Sequence, residues 1–155
     1  MPMKILDQLR TGVTSASAEE TRRLGARLAA VLPPDATLAL HGDLGVGKTT
    51  FVQGLAEGFG FTSPVTSPTF NILHLYRPGA PAPGAGPGVG VLLHLDAYRL
   101  EQAQDLAGLM LDDFLITPYC LAVEWPDRIA AWLPADTLHF TLGIEAPGRH
   151  RIALA

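Results

Sequence analysis

Lysine is nearly missing from this 155-residue chain: Lys4 and Lys48 are the only two, and with nine arginines they face fifteen acidic side chains, for a formal net charge of −4. No Lys/Arg cluster occurs. That argues against a broad surface gripping a nucleic-acid backbone, because such binding comes largely from neutralising phosphates, and any RNA is expected to be held by a partner. Cysteine occurs once, at Cys120 in an apolar run, which excludes an internal disulfide and a cysteine-based metal cluster and fits a reducing cytoplasm. No apolar stretch approaches the ~20 residues needed to cross a bilayer, and no basic-then-apolar leader segment is visible, so a cytoplasmic protein without a membrane partner is expected. What is abundant is apolar: 48% hydrophobic residues against 17% charged predicts one well-buried domain spanning residues 1–155.

One of the two lysines falls in His41-Gly42-Asp43-Leu44-Gly45-Val46-Gly47-Lys48-Thr49-Thr50, which contains the phosphate-binding pattern G-x-x-x-x-G-K-[ST]. Asp43, Leu44, Gly45, Val46, Gly47, Lys48, Thr49 and Thr50 are the candidate cradle for a nucleoside triphosphate such as ATP. Glycines let successive backbone N–H groups turn inward around phosphate oxygens, Lys48 reaches the β- and γ-phosphates, and the Thr49 hydroxyl is placed to ligate Mg²⁺. The helix that follows adds its partial positive charge beneath the phosphates. The pattern requires a strand before it and a helix after it. Thr37–His41 supplies the first, and Phe51, Val52, Leu55 and Phe59 at helical spacing supply the second.

Elsewhere, Ser17-Ala18-Glu19-Glu20 has the capping-box pattern for a helix with Leu24, Leu28, Val31 and Leu32 on its apolar stripe, ending before Pro33-Pro34. Residues 70–76, 91–95, 119–123, 138–142 and 151–154 read as strands, with the last two flanking Gly148. Residues 78–90 hold four prolines and five glycines, which predicts a hairpin tip without regular structure. Leu106, Leu109, Met110 and Leu111 suggest one or two short helices with Asp112 and Asp113 exposed, and Ile129, Ala130 and Leu133 another. Strands alternating with helices around a P-loop imply an α/β fold of three layers with a largely parallel central sheet and some antiparallel strands.

In such a sheet ligands sit beyond the carboxyl ends of the strands, so an acid that follows an apolar strand is aimed at the edge that carries the P-loop. Asp96 follows Val91–Leu95 and Glu124 follows Tyr119–Val123. A P-loop enzyme needs one carboxylate for Mg²⁺ and often a second group to orient the attacking water; the residues alone leave open which acid does which. With Lys48 they are the candidate catalytic groups. Ser67-Pro68-Thr69 lies where P-loop switch enzymes keep a hydroxyl that senses the γ-phosphate. His41, His74, His94, His139 and His150 show no metal-ligand spacing and read as strand or surface residues.

Together, Gly42–Phe51, Ser67–Phe70, His94-Leu-Asp-Ala-Tyr-Arg-Leu100 and Val123-Glu-Trp-Pro126 resemble the TsaE (YjeE) family of bacterial ATPases needed for threonylcarbamoyladenosine modification of tRNA. The resemblance spans about Ser17 to Arg151. It implies a cytoplasmic ATPase acting with TsaB and TsaD proteins on ATP, which becomes ADP, with Thr49 and Glu124 as the Mg²⁺ ligands. It further implies Asp96 as a second essential acid, Thr69 as the switch hydroxyl and Trp125 as the aromatic beside the nucleotide. The adenine is expected between the segment near Ser17 and the turn near Gly148-Arg149, with Ser17 and Arg149 as its contacts. The Pro/Gly insertion stands where the family usually has a short turn. Two other readings of the same residues are a small-molecule P-loop kinase, which would need an arginine-rich lid that the insertion lacks, and a nucleotide-gated binding module with incidental hydrolysis. A guanine nucleotide is not expected, since no lysine follows Lys48 to build the usual Asn/Thr-Lys-x-Asp element.

Overall fold

A computed structural model of the chain describes residues 4–43, 45–61, 73–76, 90–98, 100 and 111–155. The elements run α1 (Ile5–Thr11), β1 (Val13–Ser15), α2 (Ala18–Ala29), β2 (Ala36–His41), α3 (Lys48–Gly58), β3 (Leu73–Tyr76), β4 (Val91–Asp96), β5 (Tyr119–Glu124), β6 (Leu138–Ala146) and β7 (Arg149–Leu154). Leu111–Asp113 and Pro126–Ile129 are 3₁₀ turns. Among the described residues one seven-stranded sheet has the order β1-β7-β6-β2-β5-β4-β3. Its four inner strands, β6, β2, β5 and β4, are mutually parallel, while β3 closes one edge antiparallel and β7 and β1 close the other.

Strand alternation divides the core between the two faces of this sheet. Leu38 and Leu40 of β2, Leu92 of β4, Cys120 and Ala122 of β5 and Phe140 of β6 pack against Leu9, Leu28, Phe51 and Leu55 of the helices. On the opposite face Leu93, Leu95, Leu121 and Val123 pack against Leu100, Leu111 and Ile129, with Phe114 and Trp132 partly buried beside them. The sheet is therefore a middle layer. Strands buried on both sides read as continuous apolar runs, which is why β2, β4 and β5 were visible without alternation.

The two longer helices touch through glycines. A Cβ built on Gly25 would lie 2.5 Å from the Phe51 carbonyl oxygen, and one on Gly54 would overlap the Arg22 carbonyl. Alanine favours an isolated helix over glycine by about 0.5–1 kcal/mol, but prising two packed helices apart costs about 1–3 kcal/mol. Gly54→Ala is therefore expected to lower the urea midpoint and to lower Tm by several degrees; an unchanged or raised midpoint would mean that the helices separate at no cost. Cys120, 1% exposed, has its thiol pushed up to about 12 by burial. Iodoacetamide should leave it unmodified in the native protein and label it fully in urea, measured by mass spectrometry. Labelling at equal rates in both would place the thiol outside the core.

Several sequence expectations change in detail. The capping box closes at one end only: Ser17 Oγ accepts from the Glu20 N–H at 3.1 Å, while the Glu20 carboxylate accepts from Ala16 N–H at 2.7 Å, one residue before the cap. The helix expected around Ile129, Ala130 and Leu133 is a 3₁₀ turn over Pro126–Ile129. Three apolar residues in so short a span cannot offset the cost of nucleating an α-helix. Residues 70–72, the Pro/Gly segment up to residue 89, and Leu106, Leu109 and Met110 lie outside the described residues. The described part of the expected strand at 70–76 is β3. The α1 and β1 elements were not foreseen; β1 is three residues long and exists through pairing Val13 with Ile152 and Ser15 with His150. Among the described residues no helix is long and apolar enough to cross a membrane.

Candidate functional site

At the carboxyl edge of the parallel strands, β2 ends at His41 and the chain turns through Gly42 into the N-terminus of α3. Gly42 has φ +147° and Gly47, the residue capping α3, has φ +102°. An L side chain at Gly47 would be strained, and one at Gly42 would also run into the Leu142 carbonyl. Among the described residues no side chain caps α3, and its first turn holds no acid, so its leading N–H groups stay available to an anion.

Beside this turn lies a cavity of about 480 Å³ lined by Ala16, Ser17, Ala18, Thr21, Gly45, Gly47, Lys48, Thr49, Thr50, Glu124, Gly148 and His150. That volume falls in the range of small-molecule and cofactor sites. Its two rims belong to distant parts of the sequence. One is the start of α2, where Thr21 is held by hydrogen bonds to Ser15 Oγ and the Ser17 carbonyl. The other is the β6–β7 turn, and the Ser15–His150 pairing of β1 with β7 binds the two together. His150 Nδ1–H donates to the Val46 carbonyl at 2.9 Å, tying β7 to the P-loop.

Lys48 is 4% exposed. Its ammonium donates to the Gly42 carbonyl at 2.5 Å and sits 4.0 Å from the centre of the Trp125 ring, which in turn contacts the Tyr98 ring at 5.1 Å. Burial holds the Lys48 amine below its ordinary pKa, against the opposing pull of Glu124, Asp96 and Asp43. Trp125 itself adopts the left-handed conformation, φ +56°, between β5 and the Pro126 turn. For a bulky residue that conformation is strained and persists only where packing over-determines it, as at functional sites.

The two strand-end acids meet. Parallel pairing of β4 with β5 sets Asp96 directly beside Glu124. Their surroundings differ. Asp96 is half-buried, with its carboxyl held above the usual range by desolvation and by Glu124, while the Tyr98 N–H donated to Oδ1 at 2.9 Å, His94 and Lys48 oppose that shift. Glu124 is buried, faces the cavity, and has Oε2 2.6 Å from His94 Nε2.

Of the residues expected from sequence, Ser17, Gly45, Gly47, Lys48, Thr49, Thr50 and Glu124 line the cavity. Asp43, Val46, Asp96, Trp125 and Arg149 do not line it: Asp43 and Arg149 are exposed, Val46 is buried beneath the loop, and Asp96 and Trp125 border Glu124 and Lys48. Leu44 and Ser67-Pro68-Thr69 lie outside the described residues. Thr21, His94 and His150 were missed. Thr21 is one helical turn beyond Ser17, a spacing that could have suggested it; nothing local marks the histidines, whose roles depend on strand neighbours.

Residues 15–152 match the family described as threonylcarbamoyl adenosine biosynthesis protein TsaE. The chain is 33% identical over 141 residues to the tRNA threonylcarbamoyladenosine biosynthesis protein TsaE of Treponema pallidum, an alignment covering 91% of this chain and 97% of that one. It is 38% identical over 128 residues to the Bacillus subtilis protein of the same name, covering 83% and 74%. The crystal structure of Bacillus subtilis YdiB matches with a TM-score of 0.71 at 33% identity, over 92% of this chain and 82% of that one.

Proposed function

We propose that this chain, which belongs to the TsaE family, is a Mg²⁺-dependent ATPase that works in the cytoplasm with TsaB and TsaD proteins in the threonylcarbamoyladenosine modification of tRNA, with residues 1–155 as a single P-loop domain. The observation that carries the reading is the convergence on one cavity of the α3 N-terminus, Lys48, Thr49 and Glu124, with Asp96 in register beside the last. Backbone N–H groups of the loop and Lys48 bind the phosphates. Adenine has room between Ala16–Ala18 and Gly148–His150.

The donors fit a magnesium site: a hydroxyl at Thr49 and a buried carboxylate at Glu124 face the same space and are both hard oxygen ligands. When bound, Mg²⁺ neutralises charge on the phosphates. Asp96, close to the site and with a raised pKa, orients the attacking water or couples the phosphate to the Thr69 hydroxyl. With a net charge of −4 the chain reaches tRNA only through its partners.

The test is reconstitution with TsaB, TsaD, tRNA and ATP, following the modified nucleoside and phosphate release together. Modification should depend on this chain and on hydrolysable nucleotide. Equal modification without the chain would sink the pathway reading, and phosphate moved to an added small acceptor in place of water would make it a kinase.

A further inference from the structure

His94 has no place in the scheme above, yet its imidazole is fully buried in the middle of β4. Leu92, two residues earlier on the same face, packs in the helix-side core, and the register partner of His94 on β5 is Ala122, which carries only a methyl. On its other side the register partner is His74 of β3. Burying an imidazole there costs free energy unless its nitrogens are satisfied, and among the described residues only one of them is. Nε2 lies 2.6 Å from Glu124 Oε2, whereas Nδ1 is buried and has no hydrogen-bond partner among the described residues.

That asymmetry identifies the tautomer. With Glu124 acting as a carboxylate, its oxygen only accepts, so the proton sits on Nε2. A second proton on Nδ1 would bury an N–H donor that no described residue receives; a bare lone pair there is the lesser penalty. Among the described residues the ring therefore makes a single hydrogen bond, and that bond is to the carboxylate facing the cavity.

We infer that His94 is a positioning residue: Nε2–H holds Oε2 of Glu124, so that the carboxylate meets the metal already fixed in one orientation beside Thr49. The inference rests on the reading of Glu124 as a Mg²⁺ ligand. The physical gain lies in rotamer freedom, since an unrestrained glutamate must be ordered when the metal arrives and a hydrogen-bonded one has been ordered by folding. Partners behind metal ligands commonly govern about 10–100-fold in metal affinity.

The experiment compares His94→Leu, which keeps bulk and removes the donor, with His94→Gln, whose amide N–H can approach the same oxygen. Calorimetric ATP titrations are run with Mg²⁺ and with EDTA, and Glu124→Ala runs alongside. His94→Leu should weaken the Mg²⁺-dependent affinity about 10–100-fold and leave binding in EDTA unchanged, and His94→Gln should recover most of the loss. Equal losses in both variants, or none in either, overturn the inference. If Glu124→Ala keeps full Mg²⁺ dependence, the reading of Glu124 has failed and His94 falls with it; if Glu124→Ala loses it and His94→Leu does not, the inference alone has failed. Should His94→Leu not fold, ¹⁵N spectra of the unsubstituted protein decide. They should show a protonated Nε2 and a bare Nδ1 in the ligand-free protein, with the Nε2 resonance moving on addition of ATP with Mg²⁺ but not of ATP with EDTA. The opposite tautomer, or indifference to Mg²⁺, overturns it.

Discussion

Lys48→Ala is expected to lower nucleotide affinity and turnover about ten- to a hundredfold, the equivalent of the roughly 1.5–3 kcal/mol that a charge-assisted contact is worth. Lys48 is the one lysine near the cavity; the other, Lys4, precedes α1. Before any phosphate binds, its ammonium is already drawn out of water, held by the Gly42 carbonyl and the Trp125 ring. Little reorganisation is then needed for it to meet a phosphate. The fold should survive, because although Glu124 and Asp96 lose the opposing charge of Lys48, Glu124 keeps its hydrogen bond with His94 and Asp96 the one from the Tyr98 N–H. Lys48→Arg should not rescue function, since a forked guanidinium is larger than the space left to a side chain that is 4% exposed. Calorimetry beside a turnover assay and a thermal melt checks all three statements. Wild-type affinity and turnover in Lys48→Ala would end the phosphate-cradle reading.

The second large effect separates the two acids. Glu124→Ala should weaken Mg²⁺-dependent ATP binding as well as turnover and leave binding in EDTA nearly unchanged, because only the metal's contribution is removed. It also strands the His94 donor in the core, which should cost about 1–3 kcal/mol of stability, and His94→Leu combined with Glu124→Ala should recover part of that loss. Asp96→Asn keeps size and removes charge. If Asp96 orients water or relays the state of the γ-phosphate, hydrolysis should fall far more than Mg·ATP affinity, a kcat effect in place of a binding effect. Mg·ATP affinity and partner-stimulated turnover measured for both variants side by side decide the matter. Loss of Mg²⁺ dependence in Asp96→Asn with retention in Glu124→Ala would exchange the two roles, and unaffected turnover in both would remove both residues from the chemistry.

What was legible in the sequence was legible for a local reason. A P-loop works through its own backbone, so the residues from Gly42 to Thr50 announce both the turn and the helix N-terminus they form, and no distant segment has to agree. The acids Asp96 and Glu124 could be aimed at that edge because an apolar run of five residues buried on both faces reads as a parallel strand, and such strands present their carboxyl ends together. The α2 start was visible at Ser17 for a similar reason, since a capped helix end satisfies its first N–H groups with a neighbour three residues away.

Pairing between strands is another matter. Nothing in Val13–Ser15 signals a strand, and it becomes one by lying along β7; that same pairing sets Ser15 beside His150 and brings the Ala16–Ala18 and Gly148–His150 rims to one cavity. The β4–β5 register likewise sets Asp96 against Glu124 and places His94 within reach of the glutamate's Oε2, where a shift of one residue would have turned His94 to the opposite face. The sequence by itself determined where the candidate phosphate loop lies and which acids end the strands around it, because each depends on residues within a few positions of one another. Only the tertiary structure decided what completes the cavity and which acid is held from behind, because those contacts join residues thirty to more than a hundred positions apart and arise from register, which a single chain's local pattern does not encode.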